Sequence, residues 1–111
     1  AVLKDTQLTN LNVEDNQLGV EGGKAFAAVL KDTQLTNLKL ARNELCGLDY
    51  AGHGTYTAEG ITALCKGLKG SAVTSLDVDK NGLGVEGGKA FAAVLKDTQL
   101  TNLSLQSNDL N

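Results

Sequence analysis

The chain has no methionine, one histidine and two cysteines, and its only aromatic residues are two tyrosines and two phenylalanines. Without methionine, Ala1 is not a start-codon residue unless the chain is processed. Both ends also fall inside a repeating unit, so a fragment of a longer array is the expectation. Cys46 and Cys65 are too few for a disulfide framework and lack the spacing of metal ligands. Two reduced thiols, and with them an intracellular setting, are the favoured reading, a bridge between them the alternative. His53 has no serine, cysteine or aspartate around it in a nucleophile frame. The glycines of Gly47–Gly54 form neither a GxxxxGK phosphate loop nor a GxGxxG turn. Asp77 and Asp79 share one strand face with Glu14 nearby, but a calcium site needs more oxygens, converging on one point. No catalytic residue, cofactor or metal ligand is therefore assigned, and the chain reads as non-enzymatic.

Charge excludes two further classes of partner. A formal net charge of -3 from 10 basic and 13 acidic residues leaves no basic stripe for nucleic acid. No apolar run reaches the ~18 residues that would suggest a membrane span, and no charged-then-apolar leader is visible. Neither nucleic acid nor membrane is an expected partner.

What is present is repetition. Leu18–Gln34 recurs letter for letter as Leu83–Gln99, and AVLKDTQLTNL occurs three times, starting at Ala1, Ala28 and Ala93. Within the unit Leu8–Gln34, Leu11 and Val13 alternate with Asn10, Asn12 and Glu14, the period of a half-buried strand. The frame Leu8-x-x-Leu11-x-Val13-x-x-Asn16-x-Leu18 returns from Leu35, from Val73 and from Leu100, which predicts four strands. After each frame the period lengthens: Gly22, Ala25, Phe26, Val29 and Leu30 mark one face of a helix. The same face returns at Gly87, Ala90, Phe91, Val94 and Leu95, and in the middle unit at Gly60, Ala63, Leu64, Gly67 and Leu68. No such helix buries its stripe alone, so the units must stack side by side.

The resulting array is 1–7 as the end of one unit, 8–34, 35–72 and 73–99 as three units, and 100–111 as the start of another. The pattern LxxLxLxxNxL followed by a glycine-containing helix resembles the leucine-rich repeat, and LGVEGGKAFAAVLK is similar to the ribonuclease-inhibitor-like class also found in NOD-like receptors. The resemblance implies an α/β solenoid, a horseshoe segment with a parallel sheet on the concave side and helices on the convex side. The unit of 27 residues is slightly shorter than the ribonuclease inhibitor pattern, and its cysteine-rich positions are mostly absent, so ribonuclease inhibition is not carried over. Bending toward the strands also follows from spacing, because parallel strands stack about 4.8 Å apart and packed helices about 8–10 Å. Small residues at Ala25, Ala27 and Ala28 should hold the helices near the close end of that range. Asn16, Asn43, Asn81 and Asn108 stand where each strand ends, and a buried amide there can bond the groups the turn leaves unpaired.

Function is sought where the copies differ. The side chains that flank the buried leucines vary from unit to unit: Asn10, Asn12, Glu14 and Asp15; Asn37, Lys39, Ala41 and Arg42; Ser75, Asp77, Asp79 and Lys80; Asn102, Ser104, Gln106 and Ser107. The middle unit also carries Cys46–Ala58, thirteen residues where the others have two. This insertion holds Tyr50, His53 and Tyr56, and tyrosines on a loop edge suit a binding anchor. Four strands of about 17–20 Å offer roughly 400 Å² of footprint, against about 800 Å² per partner in a standard interface. The expected function is a protein-interaction module that uses Asn12, Glu14, Asp15, Lys39, Arg42, Asp77, Asp79, Lys80, Gln106, Tyr50, His53 and Tyr56. The alternative is a structural element of a larger assembly, its open ends filled by further repeats or other chains. An enzymatic role would come only from attached domains.

Overall fold

The two hydrophobic periods become strand and helix in alternation. The computed structural model describes residues 8–49 and 51–108. The expectations for residues 1–7, for Tyr50 and for Leu110 fall outside them. Strands β1 (Asn10–Asn12), β2 (Asn37–Lys39), β3 (Ser75–Asp77) and β4 (Asn102–Ser104) alternate with helices α1 (Gly19–Val29), α2 (Glu59–Leu68) and α3 (Gly84–Val94). A 3-10 turn extends α1 and α3 at Leu30–Asp32 and Leu95–Asp97. The strands form one parallel sheet in the order β1-β2-β3-β4, which aligns Leu11, Leu38, Leu76 and Leu103 in a single row. The architecture is the expected α/β solenoid segment. Asn81-Gly82, a hairpin signal in isolation, lies in a turn of this all-parallel array.

The strands are shorter than expected, at three residues each. Backbone pairing nevertheless runs on past them at both ends. Asp15 N donates to Ala41 O, Arg42 N to Asp79 O and Lys80 N to Gln106 O, each at 3.0 Å. At the strand entrances, Thr36, Thr74 and Thr101 each donate an amide at 2.8 Å and a hydroxyl at 3.2 Å to the threonine carbonyl of the preceding repeat. The repeats therefore keep one spacing from the threonine row to the asparagine turn.

The core joins Leu30, Leu35, Leu38, Leu40, Leu45, Ile61, Leu64, Leu68, Val73, Leu76, Val78, Leu83 and Phe91, with Leu11, Val13, Leu18 and Phe26 partly buried against it. Several helical assignments need correction. Ala25 and Ala28 are exposed, and so are Ala92 and Ala93, whereas Ile61 and Cys65 are buried members of the α2 face that the expected stripe omitted. The close approach of α1 and α2 depends instead on glycines of α2. A Cβ on Gly60 would lie 2.8 Å from Val20 O, and one on Gly67 would lie 2.7 Å from Ala27 O. These contacts are too short for any side chain, so the two helices meet backbone to backbone. In α3 the position of Gly67 is taken by Val94, and the α2–α3 contact is less extensive. Lys24 bridges Glu21 at 3.4 Å and Glu59 at 3.0 Å across the α1–α2 seam, an exposed network that adds little to stability.

The identical helices act as an internal control for the effect of a neighbour. Leu30 is 0% exposed beneath α2, while its copy Leu95 is 41% exposed. Phe91, next to α2, is 1% exposed, while its copy Phe26 is only partly buried. Burial here belongs to the stack and not to the single unit. Phe91→Ala is expected to destabilise the chain by roughly 3–5 kcal/mol and Phe26→Ala by clearly less. Urea unfolding of the two variants makes the comparison, and equal losses would contradict the role given to α2.

Candidate functional site

Each strand ends in a turn built around an asparagine. Asn43, Asn81 and Asn108 are buried at 0%, 1% and 2% exposure. The Oδ1 of each accepts the backbone amide of the preceding repeat's asparagine: Asn16 N to Asn43 at 2.8 Å, Asn43 N to Asn81 at 2.8 Å, and Asn81 N to Asn108 at 2.7 Å. The Nδ2 groups donate back across the same junctions, from Asn43 to Val13 O at 2.9 Å, from Asn81 to Leu40 O at 2.9 Å and from Asn108 to Val78 O at 3.0 Å. The ladder leaves no buried side-chain nitrogen or oxygen without a partner among the described residues. Asn16, at the edge, is exposed.

Turning the chain around these amides forces the flanking residues into left-handed backbone. Asp15 (φ 61), Gln17 (φ 53), Arg42 (φ 57), Glu44 (φ 57), Lys80 (φ 57) and Ser107 (φ 58) are non-glycine residues held there, with Gly82 at φ 64. That region is disfavoured for residues with a Cβ. The residues on either side of Asn16, Asn43 and Asn81, together with Ser107 before Asn108, thus line a rim at the ends of the strands. Successive repeats repeat the arrangement.

The insertion overhangs this rim and is itself ordered by hydrogen bonds. Leu48 and Gly54 pair in an antiparallel bridge, and Thr57 N donates to Cys46 O at 2.9 Å, closing the base. The Asp49 carboxylate accepts from Ala51 N at 3.0 Å and from His53 N at 2.9 Å. Leu48 packs over Gly82, while the Tyr56 ring lies over Gly84 and its hydroxyl donates to Leu83 O. Tyr56 thereby fastens the loop to the next repeat. Between rim and loop lies a cleft of ≈ 560 Å³, lined by Asp15, Gln17, Arg42, Glu44, Lys80, Gly82 and Ser107 on the rim and by Leu48, Asp49 and Gly52 on the loop.

The twelve residues expected to contact a partner divide into three groups. Asn12, Lys39 and Asp77 align in register with Ser104 on the sheet face. Glu14, Asp79 and Gln106 continue that face toward the turn; Ala41, expected on the surface with them, is buried at 5% exposure. Asp15, Arg42 and Lys80 line the rim cleft. His53 lies on the loop with its side chain 83% exposed, 3.7 Å from Asp49, and outside the cleft lining. Tyr50 is outside the described residues. Gln17, Glu44, Leu48, Asp49 and Gly82 were not anticipated. The signal that could have found the rim members is their position immediately after each asparagine.

Polar chemistry on the sheet face is local. Asp79 Oδ1 accepts from Ser104 Oγ at 2.6 Å and from Gln106 N at 2.8 Å, so this carboxylate ties repeat to repeat. Asp77 accepts from Asp79 N at 2.9 Å. Burial, with the carboxylates of Asp79 and Glu14 adding to it, raises the Asp77 pKa above the usual aspartate value. Both cysteines are free and buried. Burial pushes Cys46 up to about 11 and Cys65 up to about 12, leaving protonated thiols that make poor nucleophiles. Among the described residues no group of three or more His, Cys, Asp or Glu side chains could hold a metal ion, and no helix is long and apolar enough to cross a membrane.

A family model described as Leucine Rich repeat matches residues 4–27 and 72–92. A search of curated proteins returns no match. The matched stretches take in the strand, the asparagine turn and all but the last two residues of the helix in the units on either side of the middle one.

The raised Asp77 pKa carries a pH dependence. The native state binds this proton more readily than the unfolded chain, so stability falls as pH rises from the ordinary aspartate value through the raised one, and the loss is complete above it. Asn12, the register equivalent, accepts Glu14 N at 3.0 Å, which shows that an amide keeps the turn bond. Asp77→Asn is therefore expected to raise the urea midpoint at about pH 7, with the gain disappearing below about pH 4. A difference of the same size at both ends of that range would contradict the assignment.

Proposed function

Given that the chain is a leucine-rich-repeat protein folded as an α/β solenoid segment, we propose that it binds a protein partner through the sheet face and the inserted loop, without chemistry of its own. Domains of this repeat class are generally protein-interaction modules. The observation that carries the reading is the overhang: the loop and the varying rim residues enclose a cleft, while helices α1 and α3 are identical in sequence. A surface that differs repeat by repeat supports recognition, whereas a helix copied unchanged supports stacking. Ribonuclease-inhibitor-like repeats are the subtype we favour, on the strength of a full helix following each of the first three strands.

Panning a random peptide library against the chain tests this reading. Enriched peptides are expected to lose binding to a variant carrying Lys39→Glu and Asp77→Lys on the face together with Arg42→Glu and Lys80→Glu on the rim. Peptides that bind parent and variant equally would refute it.

One observation favours a second reading, as a structural element of an assembly. Leu8, Val85 and Leu95 are 46%, 43% and 41% exposed at the two edges of the stack. Leu95 is a copy of a side chain that an adjacent repeat covers elsewhere in the chain. Light scattering is expected to show concentration-dependent association under this reading, and a monodisperse monomer over the same range would count against it.

A further inference from the structure

The rim cleft carries charges of both signs on residues that recur once per repeat. Asp15, Arg42 and Lys80 occupy the same turn position in three successive repeats. Among the described residues neither Arg42 nor Lys80 is paired with a carboxylate. Glu44 and Asp49 add two further carboxylates to the lining. Three acids and two bases around one cleft disfavour a doubly charged phosphate and a nucleic-acid backbone, because either would meet the acids as well as the cations. They favour an occupant that offers a cation and an anion in a set order.

Repeat spacing sets the backbone separation of the residues that bear those charges. Adjacent repeats lie about 4.8 Å apart, so the distance from Asp15 to the midpoint between Arg42 and Lys80 is roughly 7 Å. In an extended peptide, side chains two residues apart share a face and are separated by about 6.6–7 Å. A basic residue over Asp15 therefore places an acidic residue two positions along between Arg42 and Lys80. The full rim, three repeat steps, measures roughly 14 Å, about four extended residues. A cleft of ≈ 560 Å³ falls within the size range of ligand sites. Leu48 supplies an apolar wall on the loop side.

We propose that the rim cleft binds an extended segment of a partner protein that carries a basic and an acidic side chain two residues apart, in either chain direction, and lies across the repeats beneath the inserted loop. This rests on the protein-binding reading and assigns it a site and a ligand chemistry. The Arg42 and Lys80 cations share the acidic side chain, and Asp15 takes the basic one.

The test is an NMR titration of the isotope-labelled 111-residue chain with the heptapeptide Ser-Gly-Lys-Ala-Glu-Gly-Ser. Controls replace the central tripeptide with Lys-Ala-Lys, Glu-Ala-Glu or the contiguous pair Lys-Glu-Ala. Saturable shifts are expected at the amides of Asp15, Arg42, Gly52 and Lys80. Binding should be about tenfold weaker for each control peptide and for the Arg42→Gln/Lys80→Gln chain, while Arg42→Lys retains it. Equal response to all four peptides overturns the proposal, as does the lack of any saturable shift up to about 10 mM. Shifts confined to Asn12, Lys39 and Asp77 overturn it while leaving the sheet-face reading intact. Panned peptides that bind the parent chain and the face-and-rim variant alike would sink the broader reading instead.

Discussion

The asparagine ladder is the interaction on which the structure depends. A repeat that leaves a strand and turns sharply exposes amides and carbonyls that no strand neighbour can pair, and leaving such groups buried costs about 1–3 kcal/mol each. Asn43, Asn81 and Asn108 meet that demand across repeats, with Oδ1 and Nδ2 bonded to the preceding unit. The bond that completes one turn is therefore also the bond that locks it to its neighbour. Spacing, register and the left-handed rim all follow from that geometry. So does the character of the rim: the amide points in, and the residues before and after it must line the edge.

Apolar packing supplies the second tie between repeats, and its extent is set by position in the stack. Leu30 and Leu95 have the same sequence context and differ from complete burial to 41% exposure. Burying a leucine side chain contributes about 1.5–3 kcal/mol, so much of the favourable energy of each unit arises at the junction and little within the unit. Where α1 meets α2, Gly60 and Gly67 bring the backbones together; where α2 meets α3, Val94 replaces the second glycine. Tyr56, from the insertion, reaches across that second junction to Leu83 O and covers Gly84. The loop thus reinforces the junction that lacks the second glycine.

Much of this was legible in the sequence because repetition averages out local ambiguity. Four copies of one frame made the strands, their parallel order and the asparagine turns readable, and the alternation of Leu11 with Asn10 and Asn12 placed the sheet face. What was not legible depends on neighbours. Periodicity put Ala25 in the core and omitted Ile61 and Cys65, since a single helix does not reveal which of its flanks an adjacent helix will cover. Ala41 reads as a strand-face residue by register but is buried. Tyr56 reads as a free anchor, yet its hydroxyl is spent on Leu83 O. Contacts between residues 27 positions apart, such as that one, have no local signature.

The insertion also gives one place on the array a shape that the other turns lack. The turns at Asn16, Asn43 and Asn81 present similar left-handed rims. Only the middle unit adds a loop, and hydrogen bonds to Asp49 together with the Leu48–Gly54 bridge tie its described residues to one another. A shallow row of side chains becomes a cleft with a second wall. The charges that vary from repeat to repeat, Asp15, Arg42 and Lys80, then line one cleft while staying exposed to solvent. Repetition provides the spacing and the single exception provides the second wall, so under the proposed reading specificity follows from breaking the repeat once.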